Sequence, residues 1–248
     1  MKKVILIATL FFSVCMFANA QKSVKVAAAA NLRDVFMEIK EVYEKENPGV
    51  KIDVTFGSSG NFVQQILNGA SFDFFMAADK SFPLKLQNKG ATYGKVSTYI
   101  YGKLAVWSNT IDVKKGLDVL KTNAVKRISV ANPETAPYGE RAIELLKKQN
   151  IYDEVKTKII YGDNISAAAQ YAFTGNTEIG FIALSLAMSP EMKGKGKCYV
   201  VPQNLYTPIE QACVLIKKNS RNIAAEKFMK NIIGHNYDAL WIKYGYSK

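Results

Sequence analysis

The chain has 248 residues, of which 48% are hydrophobic, and it carries a formal net charge of +12. That length suits one large domain or two smaller lobes, each able to bury a core. The lysines are scattered and no face interleaves aromatic with basic residues, so the composition favours a solvated basic surface and argues against a nucleic-acid partner.

The N-terminal residues have the three parts of a secretory signal peptide. Met1–Lys3 is basic, Val4–Phe17 is almost wholly apolar, and Ala18–Ala20 matches a small-x-small cleavage site. The apolar run is too short for a comfortable transmembrane span. We therefore predict that residues 1–20 are removed on export to the periplasm. An uncleaved anchor and a lipoprotein are the less favoured alternatives.

Strand-like and helix-like segments alternate along the rest of the chain. The strands predicted in chain order are SVKVAAAA, KIDVTF, FDFFMAA, GKLAVWS, RISVANP, TKIIYGD, EIGFIAL, CYVVPQ and IEQACVLIK. The predicted helices are NLRDVFMEIKEVYEKEN, GNFVQQILNG, KSFPLKLQNKG, GLDVLKTNAV, GERAIELLKKQN, SAAAQYAFTG, NIAAEKFMKNIIG and YDALWIKYGY. This alternation indicates an α/β fold with mostly parallel sheets flanked by helices.

The number of strands favours two sheets over one. The segments 102–108 and 200–208 have the pattern of two passages of the chain between lobes. We therefore predict a first lobe formed by 21–102 and 208–248 and a second lobe formed by 103–207. Two chain crossings make a hinge, and the cleft between two lobes is a frequent place for a ligand.

Four strand-to-helix junctions have small or polar residues where the helix opens: Ala30-Asn31, Ser58-Ser59-Gly60, Tyr138-Gly139 and Asn164-Ile165-Ser166. The first turn of a helix leaves N–H groups without internal partners, and the helix dipole adds partial positive charge there. In α/β folds such helix starts gather at the carboxyl ends of the strands, where several of them together can bind an anion. The alternative for each junction is a plain N-cap.

No lysine or arginine lies beside the Ser58-Ser59-Gly60 junction, so the predicted site offers neutral donors. Such donors suit a fully ionised dianion, which only accepts hydrogen bonds. A protonated phosphate would need a carboxylate to accept its proton. Asp79 and Asp163 lie near the relevant strand ends, so the residues alone leave phosphate open, although capping or bracing of the loops is the favoured role for both.

Two other classes of function are open at this stage. A secreted hydrolase would use Ser58 or Ser59 as nucleophile and His235 as base, but Asn61 breaks the G-x-S-x-G pattern. A basic adhesin would bind no small ligand. The cysteines of the exported chain, Cys198 and Cys213, could form one disulfide or remain two thiols, and their spacing is not that of a zinc site.

Four segments, AAAANLRDVFMEIKEVYEKE, FGSSGNFVQQILNGASFDFFMAAD, ANPETAPYGERAIELL and GFIAL, resemble in that order the secreted molybdate-binding proteins of molybdate ABC transporters. The resemblance spans the exported chain. It implies a two-lobed type II periplasmic binding protein, with no enzyme activity, that closes on molybdate or tungstate and delivers it to a membrane permease. It implies no cofactor and no metal apart from the Mo or W of the oxyanion, and we expect a monomer.

The resemblance also implies a set of oxyanion ligands: Asn31, Ser59 and the backbone N–H groups of Tyr138 and Ile165, with Ala30 and Ser58 in support. Asn31 departs from the serine common at its place, but an amide can still donate. Many members have a tyrosine where this chain has Ala183, so that donor is absent, and the hydroxyl of Tyr138 is a candidate to replace it. A sulfate- or phosphate-binding protein of the same fold is the alternative within the class.

Overall fold

The computed structural model describes residues 22–218 and 220–248, so the predicted signal peptide at 1–20 lies outside the described residues. In the described part of the chain, no helix is long and apolar enough to cross a membrane.

Ten strands and nine helices are present in the described residues. In chain order the strands are β1 (Lys22–Ala29), β2 (Val50–Gly57), β3 (Phe74–Ala77), β4 (Thr92–Gly102), β5 (Leu104–Ser108), β6 (Ile128–Ala131), β7 (Ile159–Gly162), β8 (Ile179–Ala183), β9 (Lys197–Val200) and β10 (Ile209–Ile216). The helices are α1 (Arg33–Glu46), α2 (Ser59–Leu67), α3 (Ser81–Asn88), α4 (Pro137–Lys148), α5 (Tyr152–Val155), α6 (Ile165–Phe173), α7 (Leu184–Ala187), α8 (Ile223–Ile233) and α9 (Asp238–Lys243).

The strands form two five-stranded sheets, one in each lobe, in the orders β2-β1-β3-β10-β4 and β7-β6-β8-β5-β9. In the first sheet β1 pairs in parallel with β2 and β3, and β10 is antiparallel to β3 and β4. In the second sheet β6 pairs in parallel with β7 and β8, and β5 is antiparallel to β8 and β9. The predicted two-lobed α/β architecture is thus confirmed.

The sheets are mixed, whereas the sequence pattern predicted mostly parallel ones. The reason is the path of the chain. The parallel strands of each lobe end at the cleft, but β5 and β10 begin there, because each receives the chain directly from the other lobe. They therefore run away from the cleft, opposite to their neighbours.

Helices cover both faces of each sheet, because successive apolar side chains of an inner strand point to opposite faces. In β1, Val26 faces a core that includes Phe36 of α1 and Phe228 of α8, whereas Ala27 faces a second core that includes Phe62 of α2. The strands are therefore fixed between helix layers, and their carboxyl ends hold the helix starts in place.

The chain passes between the sheets twice. It leaves the first sheet where β4 ends and enters the second at β5 one residue later, then returns between β9 and β10. The hydroxyl of Tyr206, in the second passage, accepts a hydrogen bond of 2.9 Å from the N–H of Leu104, in the first. The two passages are therefore tied together.

Two segments differ from the sequence prediction. Strand β4 was not predicted, because its first half is partly exposed, Gly94 has a positive φ of 70°, and its pairing with β10 contains register shifts. The helix predicted over GLDVLKTNAV is only a 3-10 turn, Leu117–Lys121. Apolar residues at helical spacing are compatible with either form when a segment is short.

Cys198 and Cys213 are free thiols. Cys198 lies in β9 of the second sheet and Cys213 in β10 of the first, so the disulfide left open by the sequence is not formed. Burial raises the pKa of the Cys198 thiol to about 11 and raises the pKa of Cys213 as well.

We predict that both thiols of the folded protein react slowly with a thiol reagent at pH 8, because the raised pKa keeps them protonated and the thiolate is the reactive form. Unfolding in denaturant without reductant should expose two fast-reacting thiols, which a colorimetric thiol assay counts. The absence of free thiols after unfolding would contradict the structure, since it would require a disulfide.

Candidate functional site

A small pocket lies between the two lobes at the carboxyl ends of their parallel strands. Its cavity volume is about 10 Å³, far below the roughly 300–1,000 Å³ typical of sites for drug-sized ligands. Its lining residues are Ala29, Ala30, Asn31, Gly57, Ser58, Ser59, Ala78, Ala136, Pro137, Tyr138, Asn164 and Ile165. The structure thus brings together all six residues predicted for the site. A larger groove beside Lys217 lies on the surface and contains none of these helix starts.

The first junction places a fully buried asparagine at the end of β1. The side-chain nitrogen of Asn31 donates to Gln211 Oε1 (3.0 Å) and to the hydroxyl of Tyr246 (2.9 Å). Its carbonyl oxygen accepts from the hydroxyls of Ser185 and Tyr246, both at 2.8 Å. Its side-chain oxygen has no hydrogen-bond partner among the described residues. Asn31 is therefore not a plain N-cap, and part of its amide is uncommitted.

The second junction offers two serine hydroxyls. Ser58 is the N-cap residue of α2, yet its side chain makes no capping bond, and its buried hydroxyl contacts no partner within the ranges that the structure covers. The hydroxyl of Ser59 accepts from the N–H of Ala78 at 3.0 Å. That bond uses an acceptor lone pair and leaves the Ser59 proton free, so both hydroxyls can donate into the pocket.

The third and fourth junctions contribute backbone N–H groups from the second lobe. Pro137 occupies the first position of α4, so the N–H of Tyr138 is the first that this helix presents. At the start of α6, the Asn164 side chain accepts from the N–H groups of Ser166 (3.0 Å) and Ala167 (3.1 Å). Asn164 is a plain N-cap, and the N–H of Ile165 has no partner within its helix.

The side chain of Tyr138 points along the boundary between the lobes. Its hydroxyl accepts from Gln211 Nε2 at 3.2 Å. Burial raises the pKa of this hydroxyl well above its ordinary value, so it is neutral at physiological pH. Ala183, where many members of the resembling family have a tyrosine, is buried at the end of β8 and is not among the residues that line the pocket.

None of the described residues that line the pocket carries a charged side chain. Asp79 lies nearby, but its Oδ1 accepts from the N–H of Ser81 (2.8 Å) and its Oδ2 pairs with Arg141 (3.0 Å). Asp163 is exposed. Neither carboxylate therefore supplies an acceptor to the pocket, and the site consists of neutral donors at helix starts.

The lobes touch directly around this pocket. The N–H of Gly60 donates to the carbonyl of Thr135 (2.9 Å), and the hydroxyl of Ser166 donates to the carbonyl of Ala30 (3.1 Å). The ion pair between Asp79 and Arg141 also spans the lobes, with each side chain only 12% exposed. These contacts enclose the pocket, so the lobes must separate for a ligand to enter.

The serine hydrolase alternative finds no support in the geometry. His235 is exposed in the turn between α8 and α9, and its Nδ1 lies 3.3 Å from Asp238. No basic side chain of the described residues hydrogen bonds to Ser58 or Ser59, and an activated serine requires a base within reach.

Sequence reasoning overlooked the polar residues that support the site from behind. Gln211, Tyr246 and Ser185 are buried and bond to Asn31. One signal was available for Gln211, because it interrupts the otherwise apolar strand of β10 and a buried amide needs partners. No local pattern marks Tyr246, which reaches the site only through the packing of the C-terminal residues.

Comparison with known proteins identifies the family. The family model described as bacterial extracellular solute-binding protein matches residues 24–247. The chain belongs to this family.

Several relatives of this solute-binding protein are named as molybdate-binding proteins. The molybdate-binding proteins of Azotobacter vinelandii and Rhodobacter capsulatus are 39% and 37% identical to it, over 90% and 92% of this chain and 89% of each relative. The solved structure of the Azotobacter vinelandii periplasmic molybdate-binding protein matches with a TM-score of 0.85 and 30% identity, covering 91% of this chain and 99% of that chain. The match includes both lobes and the cleft between them.

The contact between Gly60 and Thr135 of the other lobe can be tested by substitution. A Cβ atom on Gly60 would lie 2.9 Å from Thr135 Cα in the other lobe, and there is no flexible side-chain end to move away. We predict that Gly60→Ala weakens the binding of an anion between the lobes by roughly 1–3 kcal/mol through overpacking of the closed form. Because alanine suits a helix better than glycine, the melting temperature of the ligand-free protein should not fall.

Calorimetric titration with molybdate measures this effect. Gly49→Ala is the matched control, because no atom lies within 4 Å of the added Cβ, and it should bind like the wild type. Equal affinity of the Gly60→Ala variant and the wild type would show that the lobes do not meet here in the liganded protein.

Proposed function

We propose that this protein captures molybdate, and also tungstate, in the pocket between its lobes and delivers the anion to the permease of an ABC transporter. The observation that carries the proposal is a small enclosed pocket lined by neutral donors from both lobes. The names of the relatives, which are molybdate-binding proteins, support the choice of anion. The alternative functions, a basic adhesin and a secreted hydrolase, have no comparable support.

The proposed ligands are Asn31 and the Ser59 hydroxyl from the first lobe, with the N–H groups of Tyr138 and Ile165 from the second, and with Ala30 and Ser58 in support. A tetrahedral dianion has acceptors in every direction and no proton to donate. Hydrogen bonds from neutral donors to an ionised acceptor are short and stronger than neutral pairs. The partial positive charge of the helix starts adds to each of them.

In this proposal the hinge consists of the two chain passages, with 21–102 and 208–248 in one lobe and 103–207 in the other. The anion stabilises the closed form because it bonds to both lobes at once, and only such differential affinity can shift the equilibrium. Release to the permease is helped by the lack of a lysine or arginine partner, since separating a buried ion pair is costly.

The wider role follows from the same relatives. We infer that residues 1–20 act as a cleaved signal peptide and that the exported chain works in the periplasm as a monomer. It would neither bind nucleic acid nor catalyse a reaction, and it would use no cofactor. The molybdate-binding relatives are binding proteins, in agreement with this role.

Sulfate and phosphate are the competing anions. The lack of a carboxylate among the lining residues disfavours phosphate species that carry a proton. Sulfate presents the same acceptors as molybdate and is smaller, so only the dimensions of the closed pocket distinguish the two.

We predict that molybdate and tungstate raise the melting temperature of the exported chain strongly, whereas sulfate and phosphate raise it little. A ligand at about a thousand times its Kd adds roughly 4 kcal/mol to the free energy of unfolding. Thermal unfolding in parallel samples with each anion measures the shift. A response to sulfate or phosphate alone would change the proposed cargo, and no response to any anion would reject the function.

Ser59 gives a residue-level prediction. Ser59→Ala removes one proposed charge-assisted hydrogen bond and should weaken molybdate binding by roughly 1–3 kcal/mol in a calorimetric titration. Ser71→Ala, in an exposed loop of the same lobe, is the matched control and should leave the affinity unchanged. An unchanged affinity of the Ser59→Ala variant would remove this hydroxyl from the site.

A further inference from the structure

Gln211 is a fully buried amide that touches both lobes. Its Oε1 accepts from Asn31 Nδ2 (3.0 Å) and from the hydroxyl of Tyr99 (3.1 Å), and its Nε2 donates to the hydroxyl of Tyr138 (3.2 Å). Asn31 belongs to the first lobe and Tyr138 to the second. One side chain behind the pocket thus holds a pocket residue from each side of the cleft.

Gly102, in the first passage between the lobes, leaves the space in which Gln211 and Tyr138 meet. A Cβ atom on Gly102 would lie 2.6 Å from Gln211 Nε2 and would also collide with the Tyr138 hydroxyl. Tyr138 and Gln211 can therefore meet only because residue 102 has no side chain.

The orientation of the Asn31 amide decides whether this side chain can donate a hydrogen bond to an anion. Its nitrogen gives both protons to Gln211 and Tyr246, while its buried oxygen has no partner among residues 22–218 and 220–248. An amide oxygen only accepts hydrogen bonds, as an oxyanion does, so the uncommitted end of Asn31 cannot bind the anion. A half-turn of the amide exchanges nitrogen and oxygen without changing its shape, and it would present a donor.

A half-turn at Asn31 requires one at Gln211, because two amide oxygens would otherwise face each other. After both turns, Gln211 Nε2 donates to Asn31 Oδ1 and to Tyr99, whose own proton goes to the carbonyl of Ala77 (3.1 Å). Gln211 Oε1 then accepts from the Tyr138 hydroxyl. The Tyr246 hydroxyl, which then faces Asn31 Oδ1, turns its proton to that oxygen, and the backbone carbonyl of Asn31 keeps the Ser185 hydroxyl as its donor. Asn31 Nδ2 is then free to bind the anion.

We propose that Gln211 is a positioning residue that orients the Asn31 amide for the anion and links that orientation to Tyr138 in the opposite lobe. The inference rests on the proposed function. In both arrangements the Tyr138 hydroxyl is committed to Gln211, so this residue serves the anion through its N–H.

The decisive variant is Gln211→Met, which has a similar length and makes no comparable hydrogen bonds. We expect its affinity for molybdate to fall at least tenfold in a calorimetric titration. Tyr43→Phe is the control, because it removes a buried hydroxyl of the same lobe that has no hydrogen-bond partner among the described residues and does not line the pocket, and its affinity should stay within about twofold of the wild type.

A second variant provides a rescue test. In Gln211→Glu a carboxylate only accepts, so at pH 8 it holds Asn31 with its oxygen towards the anion, whereas the protonated carboxyl can donate to Asn31 Oδ1 as an amide does. Burial raises the pKa of a carboxyl, so the affinity of this variant relative to the wild type should recover as the pH falls from 8 to 5.5. The titratable groups that bond to Gln211 are Tyr99 and Tyr138, and burial raises the pKa of both, so they stay neutral throughout.

The outcomes separate the inference from the proposed function. Weak binding by Gln211→Met, near-normal binding by Tyr43→Phe and recovery of Gln211→Glu at low pH support the positioning role. Normal binding by Gln211→Met overturns it, as do equal losses in Gln211→Met and Tyr43→Phe. If Gln211→Met fails to fold, a constant affinity ratio for Gln211→Glu across this pH range overturns it. A wild-type protein that binds no molybdate would instead reject the proposed function and the inference with it.

Discussion

The unpaired N–H groups at the first turns of helices are the constraint on which the rest of this structure depends. A buried N–H without a partner is unfavourable, so several helix starts facing one small pocket need an acceptor that reaches all of them. The sheets fix where these starts lie, because parallel strands from each lobe end at the cleft. The antiparallel strands β5 and β10 carry the chain between the lobes without blocking that edge. Fold and site are thus consequences of the same strand directions.

The neutrality of the donors gives the cleft its chemical character. Asp79 and Arg141 satisfy each other at the edge of the cleft, so the charges nearest the pocket contribute to the contact between lobes. The pocket itself is left with hydroxyls, an amide and backbone N–H groups, all of which suit an anion that accepts everywhere. Behind them, the hydrogen bonds of Gln211 to Asn31 and to the Tyr138 hydroxyl hold the amide in a defined orientation, as preorganised sites require.

Much of this arrangement could be predicted from the sequence, because it rests on local patterns. Ser58, Ser59 and Tyr138 could be placed at helix starts from the strand and helix periodicity, and the structure brings them to one pocket. The parts that could not be predicted depend on contacts distant in the chain. Tyr246 lies 215 residues from its partner Asn31, and the contact between Gly60 and Thr135 exists only when the lobes meet. Strand β4 was missed because its partial exposure weakens the alternation that marks a strand.

A crystal structure of the exported chain with tungstate would locate the anion directly, because anomalous scattering at the tungsten absorption edge gives the position of the metal. We expect one strong peak between the lobes, with oxyanion oxygens within hydrogen-bond distance of Asn31, Ser59 and the N–H groups of Tyr138 and Ile165. A peak held by lysine or arginine side chains, or one on the surface of a single lobe, would contradict this expectation.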